Sequence, residues 1–392
     1  MKVLSVNAGS SSLKFQMYEM PEEKVLISGV FERIGIDGSF YTIKINGEKI
    51  KKETALPTHK EAVSALISEL LENKVINDLS EIKGVGHRLV HGGDKYSSSV
   101  VINNEVIQEI KDLIPLAPLH NPANITGVEA FVEAIPNAIQ VGCFDTAFHQ
   151  TMDETSYLYA VPYEWYTKYG VRRYGFHGMS HKYVSGRVAE MMGTENLKVI
   201  TCHIGNGGSL SAIKDGKCID TSMGFTPNAG LVMGSRSGDI DATFIPYVME
   251  KTGMSLEQVI NELNKNSGYL GVSGVSSDGR DIEEGVNAGN ERCILAQKLY
   301  IKRIVEYIAR YYVELDGADA IVFTAGVGEN SIDTRKQIVA GLKSLGIKID
   351  EEANNVRGKE TLISSSDSSV AIYVIPTDEE VMIARDTYDF IK

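Results

Sequence analysis

The chain of 392 residues is 43% hydrophobic and 23% charged, with a mean hydropathy of −0.10 and a formal charge of −13. These values exclude a disordered, collagen-like or disulfide-scaffold protein and, at roughly 100–200 residues per domain, give two or three domains. The acidic balance, with no basic stripe, excludes nucleic acid as the main partner, while local arginines still admit an anionic substrate. The first apolar run, Val3–Val6, ends at Asn7. That is far short of a signal-peptide core, and no stretch approaches the about 18 apolar residues of a membrane helix. The run reads as a strand, Val3–Asn7. Thr58–Asn73 reads as a helix, opened by a capping box of Thr58 and Glu61, with Ala62, Val63, Leu66, Ile67, Leu70 and Leu71 on one face. Gly84–Val90, Ile139–Phe144 and Val199–His203 are further strands. Cys293–Leu315 reads as a long helix with Leu295, Leu299, Ile304, Val305, Ile308 and Tyr312 in register. Ala320–Thr324 is a strand, and Thr377–Ile391 a last helix with a box of Thr377 and Glu380. Strand–helix alternation of this kind predicts an α/β fold. Cys143, Cys202, Cys218 and Cys293 form no CxxC pair, so reduced, buried thiols and a cytoplasmic protein are expected.

Val3–Leu13 is similar to Val199–Leu210, given one inserted residue in the second copy, and the two segments lie half a chain length apart. Each reads as strand, glycine-containing polar turn and second strand. This predicts a duplicated domain with a tight hairpin in each copy. No Pro-rich or low-complexity linker separates the halves.

Four glycine-rich polar turns stand out: Asn7–Ser12, His203–Ser209, Ser273–Asp281 and Ala325–Ser331. Glycine lets backbone N–H groups approach phosphate oxygens, although most glycines merely make turns. The Ala325–Ser331 turn follows a strand and is expected to open a helix, a natural anion site. It lacks the third glycine of a dinucleotide fingerprint, and no Walker A sequence is present. His177 and His181 stand four apart, but no third ligand accompanies them, so zinc is not expected. Arg88 ends a strand. Arg236 is framed by small residues in Gly234–Asp239, which suits either a bidentate anion contact or a surface ion pair. Asp145 follows the strand Ile139–Phe144, as a ligand-facing carboxylate or a helix cap. Glu379 lies in the first turn of the last helix, where the dipole favours an acid in any case.

Together these pieces resemble the acetokinase family: Asn7–Lys14, Gly175–His181, His203–Gly207, Asp220–Pro227, Gly234–Asp239, Phe323–Asn330 and Pro376–Glu380. The resemblance runs from residue 2 to near the end. It implies two duplicated, ribonuclease H-like lobes of the actin-like ATPase superfamily, each with a mixed five-stranded sheet, hinged around a nucleotide cleft. One lobe would be 1–147 completed by 380–392, on the acyl-substrate side, and the other 148–379, on the nucleotide side. The implied activity is reversible in-line phosphoryl transfer from ATP to acetate, giving acetyl phosphate and ADP, with a propionate-preferring enzyme as the nearest alternative. Matching positions imply Asn7 and Glu379 for magnesium, with manganese as its substitute. They imply Lys14, His203, Ile204, Gly205, Asn206, Gly207, Asp278, Gly279, Arg280, Gly326, Val327, Gly328, Glu329 and Asn330 for ATP. Arg88 would bind the carboxylate, and Val90, Leu119, Phe176 and Pro227 would enclose the acyl methyl group, with His120 as a further active-site histidine. His177 and Arg236 would stabilise the transition state, and Asp145 matches the family's acid/base position. Acetate is already ionised at pH 7 and needs no base, so Asp145 is read as an orienter of Arg88 or of magnesium-bound water. The family also implies a homodimer. Asn228-Ala229, beside Pro227, depart from the usual Leu-Glu at the edge of the acyl pocket.

Overall fold

The computed structural model describes residues 1–118 and 120–392. Two compact units are present, Met1–Gln150 with Asp378–Lys392, and Thr151–Thr377. The first is built on β1 (Lys2–Ala8), β2 (Ser12–Glu19), β3 (Lys24–Glu32), β4 (Phe40–Ile45), β5 (Glu48–Glu53), β6 (Ile82–Leu89), β7 (Val100–Val101) and β8 (Ile139–Phe144), in sheet order β5-β4-β3-β2-β1-β6-β8-β7. The second holds β9 (Lys198–Ile204), β10 (Gly208–Lys214), β11 (Lys217–Thr221), β12 (Ala320–Thr324), β13 (Thr361–Leu362) and β14 (Ala371–Val374), in order β11-β10-β9-β12-β14-β13.

The two sheets share one plan. In each, the first strand pairs antiparallel with the second and the second with the third. A fourth strand then joins the other side of the first in parallel, and a fifth joins the fourth in parallel. This is the expected duplication, carried by topology. Neither sheet stops at the expected five strands. The first adds the β4–β5 hairpin at one edge and β7 at the other, and the second adds β13. The outermost strand β5, Glu-Lys-Ile-Lys-Lys-Glu, is mostly exposed, and its charges discourage pairing with another sheet. The central strands β1 and β12 are buried almost throughout, which explains their unbroken apolar runs.

The repeat differs from the sequence reading at the turn. Four residues, Gly9–Ser12, separate the last pair Ala8↔Leu13 of the first hairpin. Only three, Gly205–Gly207, separate Ile204↔Gly208. The second copy is one residue shorter, not longer. Asn7 is therefore equivalent to His203, and Lys14, opposite Asn7, to Ser209.

Helix ends follow local capping. Thr58 and Glu61 form the expected box before His59–Glu72. The C-terminal helix, Glu379–Asp389, is capped by Asp378, whose carboxylate accepts from Val381 N at 2.9 Å. Thr377 is not the cap: the helix starts one residue later than the box predicts, Thr377 Oγ1 accepts no helix N–H, and the N–H that a box would give to Glu380 goes to Glu329 Oε1 at 3.1 Å. In Glu291–Glu314 the buried stripe runs through Ala296, Tyr300, Ile304, Tyr307, Ile308 and Tyr311, while Leu295 and Leu299 are exposed. The tyrosine rings supply apolar area that a count of aliphatic residues leaves out. Leu71 is likewise exposed. All four cysteines are buried and unbridged, as expected. Among the described residues no helix is long and apolar enough to cross a membrane.

Candidate active-site residues

In the first unit the C-terminal helix lies directly on β6. A Cβ at Gly86 would collide with Thr387 Oγ1, and one at Gly84 would sit 2.6 Å from Thr387 Cγ2. Only glycine at both positions lets the helix come this close, and the approach brings Glu379 to the strand that carries Arg88. Arg88 donates from Nε to Asp145 Oδ1 at 2.9 Å and from Nη2 to Oδ2 at 2.7 Å, and Glu379 Oε2 stands 3.7 Å from its Nε. Burial opposes the charge on Arg88, but Asp145 and Glu379 outweigh it and raise its pKa. Burial pushes the Asp145 carboxyl upward against the pull of Arg88. Both Asp145 oxygens accept from the guanidinium, which is the pairing of an ionised carboxylate. Two of the five guanidinium N–H groups are thus taken, and three remain for an anionic ligand.

Asn124, buried in the helix Asn121–Ala134, ties two loops together. Its Oδ1 accepts from Val90 N at 3.1 Å and its Nδ2 donates to Ala8 O at 2.8 Å. His59 Nε2 bonds Gly9 O at 2.8 Å. Lys14 pairs with Glu380. His120 lies near enough to Asp145 to favour its ionised form, and Leu119 lies outside the described residues.

In the second unit, His177 caps the helix Gly178–Met192 with φ of 59°, a left-handed conformation, so His177 and His181 do not share a helical face. Its ring stacks on His203 with centroids 4.0 Å apart. Ser209 Oγ stands 2.9 Å from His177 Nδ1 and 2.8 Å from His181 Nε2, while His181 Nδ1 meets Thr201 Oγ1 at 2.7 Å. Ser180 Oγ holds His203 Nδ1 at 2.7 Å. Arg236 Nη1 donates to Pro227 O at 3.1 Å and meets Met233 Sδ at 3.7 Å. No carboxylate pairs with it among the described residues, and burial pushes its pKa down. A Cβ built on Gly207 would lie 3.5 Å from Arg236 Nη1 and 3.9 Å from His177 Nε2. The guanidinium and the imidazole therefore converge beside a glycine that leaves the space open.

A cavity of about 600 Å³ lies in the same unit, lined by Gly205, Asn206, Asp278, Gly279, Arg280, Gly326, Val327 and Asn330 among others. Eight of the fourteen positions expected to touch ATP thus line one space. His203, Ile204, Gly207, Gly328 and Glu329 do not line it, nor does Lys14 of the other unit. Glu329 is a brace: its Oε1 accepts from Ala325 N at 2.7 Å, Thr377 N at 3.1 Å and Thr324 Oγ1 at 3.3 Å. The first N–H of the Ala325–Asn330 helix is therefore capped from within the protein. Arg335, fully buried, donates to Gly328 O at 2.9 Å, to Asn354 Oδ1 and O at 2.8 and 2.9 Å, and to Val356 O at 2.8 Å. Burial, with Arg357 nearby, brings its pKa down to about 10.

Sequence reasoning passed over Ser180, Ser209, Asn124 and Arg335. Ser209 was recoverable from the repeat, since it stands opposite His203. Asn124 and Arg335 act on segments distant in the chain and carry no local signal. As for a metal, Asn7 and Glu379 supply a carboxamide and a carboxylate, both hard oxygen donors. No group of three or more His, Cys, Asp or Glu placed to hold a metal ion is present among the described residues. Oxygen donors of this kind are the type magnesium takes, alongside waters and phosphate oxygens.

The sequence profile of the acetokinase family matches residues 2–385. The chain is 55% identical to the acetate kinase of Bacillus subtilis (strain 168) over 393 residues, covering 100% of both. Among solved structures it superposes on the acetate kinase of Porphyromonas gingivalis with a TM-score of 0.95 at 49% identity, covering 100% of each chain. It superposes on a propionate kinase from Francisella tularensis with a TM-score of 0.94 at 41% identity, covering 99% of each.

Proposed function

The chain belongs to the acetokinase family, and from that premise we propose how its residues divide the work of moving a phosphoryl group from ATP to acetate. The observation that carries the activity itself, ATP-dependent phosphorylation of acetate, is 55% identity to an acetate kinase over the whole length of both chains. In the forward direction a carboxylate oxygen of acetate forms a bond to the γ-phosphorus. The bond from that phosphorus to the β–γ bridging oxygen breaks, and ADP leaves with its electron pair. No proton is removed from acetate, so the chain must supply alignment and charge.

Arg88 holds the carboxylate through the N–H groups that Asp145 leaves uncommitted. Asp145 is a positioning residue: by gripping Nε and Nη2 it fixes which edge of the guanidinium faces the substrate. The family resemblance assigns Val90, Leu119, Phe176 and Pro227 to recognition of the methyl group, and His120 to the same substrate. Arg236 and His177 bind the equatorial oxygens of the migrating phosphoryl, supported by their convergence next to Gly207. Arg236, without a carboxylate partner, is available for that oxyanion. The cavity lined by Gly205, Asp278–Arg280 and Gly326–Val327 receives the nucleotide, and Lys14 leaves Glu380 for the ATP phosphates. In this reading residues 1–147 and 380–392 serve the acyl substrate and 148–379 the nucleotide. Magnesium, or manganese in its place, would be held by Asn7 and Glu379 and would neutralise charge on the β- and γ-phosphates. A homodimer and a cytoplasmic location belong to the same proposal, the latter supported by four unbridged, buried thiols.

The test is acyl-phosphate trapping with hydroxylamine, using ATP and a panel of short carboxylates. Acetate is expected to give the highest kcat/KM. Propionate in first place would reassign the substrate within the family, as one methylene in an apolar pocket is worth only about 1–3 kcal/mol. No acyl phosphate from any acid would end the proposal.

A further inference from the structure

Ser209 stands near the start of β10 with its hydroxyl between two imidazoles. Its Oγ lies 2.9 Å from His177 Nδ1 and 2.8 Å from His181 Nε2, and His181 Nδ1 lies 2.7 Å from Thr201 Oγ1. Ser209, His181 and Thr201 are fully buried. Four side chains thus form one line, drawn from β9, β10 and the helix Gly178–Met192 with its cap. At the inner end Thr201 Oγ1 also stands 3.5 Å from Ser211 O, the far limit of a hydrogen bond. At the outer end the His177 ring stacks on His203. Its Nε2 lies 3.9 Å, and Arg236 Nη1 3.5 Å, from the point a Cβ on Gly207 would occupy.

A hydroxyl has one proton to give, and so has a neutral imidazole. Ser209 therefore cannot donate to both rings, and the line runs in one of two directions. With the protons pointing inward, His177 gives Nδ1–H to Ser209, and its Nε2 turns a lone pair towards phosphoryl oxygens, which are themselves acceptors. With the protons pointing outward, Thr201 donates to His181 Nδ1, His181 Nε2–H to Ser209, and Ser209 to His177 Nδ1. The proton of His177 then stands at Nε2. The inward direction gains only the long contact to Ser211 O. The outward direction gains a donor aimed at an oxyanion, one of the stronger hydrogen bonds a protein makes. A doubly protonated His177 would also donate from Nε2, but it would set a second cation beside the Arg236 guanidinium. We propose that Ser209 is a positioning residue that donates to His177 Nδ1 and so keeps the neutral ring as its Nε2–H tautomer, the form able to hydrogen-bond the migrating phosphoryl. This rests on His177 binding that group, as proposed above.

Two measurements test it. The first is nitrogen-15 NMR of the full-length enzyme labelled at histidine, with magnesium and the β,γ-imido analogue of ATP. The His177 signals are identified by their loss in His177→Ala. Nδ1 is expected at the shift of a bare, accepting nitrogen and Nε2 at that of a protonated one. The reverse pattern, or two protonated nitrogens, overturns the proposal. The second is a double-mutant cycle on kcat with ATP and acetate. Ser209→Ala is expected to lower kcat about tenfold, with the KM of each substrate within about twofold of wild type. In the His177→Ala background the same change should alter kcat by less than about twofold, because no ring is left to orient. An equal loss in both backgrounds marks a merely structural role and overturns the proposal, as does a Ser209→Ala kcat within about twofold of wild type. Wild-type turnover in His177→Ala would instead remove His177 from the phosphoryl group, and the reading above with it. The NMR spectrum of the unaltered enzyme needs neither turnover nor a folded Ser209 variant, and decides the tautomer by itself.

Discussion

At the scale of single residues, two arginines do opposite things with the same chemistry. Arg88 is locked to Asp145 before any ligand arrives, and Arg236 has only a carbonyl and a thioether. A cation left without an anion in a half-buried place binds best when negative charge grows beside it. Replacing Arg236 with Ala should therefore lower kcat by about a thousandfold or more, while ADP affinity by calorimetry stays within a few-fold. A variant retaining a tenth of wild-type turnover would take Arg236 away from the phosphoryl group. Asp145→Asn would put an amide where one guanidinium N–H now donates, turning the Arg88 edge. Both kcat and the acetate KM should worsen severely. If Asp145 only positions, the wild-type kcat profile has no single-proton limb between about pH 4 and 6 that disappears in the variant. Such a limb would establish base catalysis instead.

Among the elements, the Ala325–Asn330 segment shows how a cavity-lining turn is held from behind. Glu329 caps its first N–H, and Arg335 draws its Gly328 carbonyl into the core. Arg335 keeps its charge while fully buried because every contact is a carbonyl oxygen, four of them in all. Arg335→Met would fill similar volume and leave those acceptors without donors. A loss of about 3 kcal/mol is expected, since each buried orphan costs about 1–3 kcal/mol and relaxation recovers part. Urea unfolding followed by circular dichroism measures it. Arg335→Lys should recover less than half, because one ammonium cannot reach all four acceptors on both segments. An Arg335→Met variant as stable as wild type would show that water replaces the guanidinium.

For the molecule as a whole, acid sensitivity is built into the sheet of the first unit. His87 is buried in β6 against Gln140, its Nε2 2.7 Å from Gln140 Oε1, and burial pushes its pKa down to about 4. His91, also buried, is pushed down to about 4. Each is depressed below the value of about 6.5 in the unfolded chain, so the unfolded state binds more protons between those limits. Stability is then complete above about pH 6.5 and declines towards pH 4, by up to about 1.4 kcal/mol per pH unit for each ring. Unfolding free energies at pH 7.0 and 5.0 should differ accordingly, and His87→Gln should shrink that difference by about half. An equal pH dependence in both proteins would show that His87 is already solvated.

The sequence by itself determined whatever depends on neighbours in the chain. Apolar runs placed β1, β6, β8, β9 and β12 to within a residue or two, and the Thr58–Glu61 box placed its helix. Strand–turn–strand similarity revealed the duplication. Glycine-framed polar turns marked Gly205, Arg236 and Gly326, and their joint pattern named the family. Tertiary structure decided what depends on residues far apart. It shortened the second hairpin turn, because register is set by ladder pairing and not by alignment. It moved the last cap from Thr377 to Asp378, whose carboxylate takes the Val381 N–H, while the Thr377 N–H that a box would use is given to Glu329. It joined Arg88 to Asp145 across two parallel strands, and it brought His177, His203 and Ser209 together from a helix start and a hairpin. No periodicity records such meetings. They follow from the close packing of strands and helices, in which a side chain's partners are chosen by where the backbone is held, and only the folded chain holds it there.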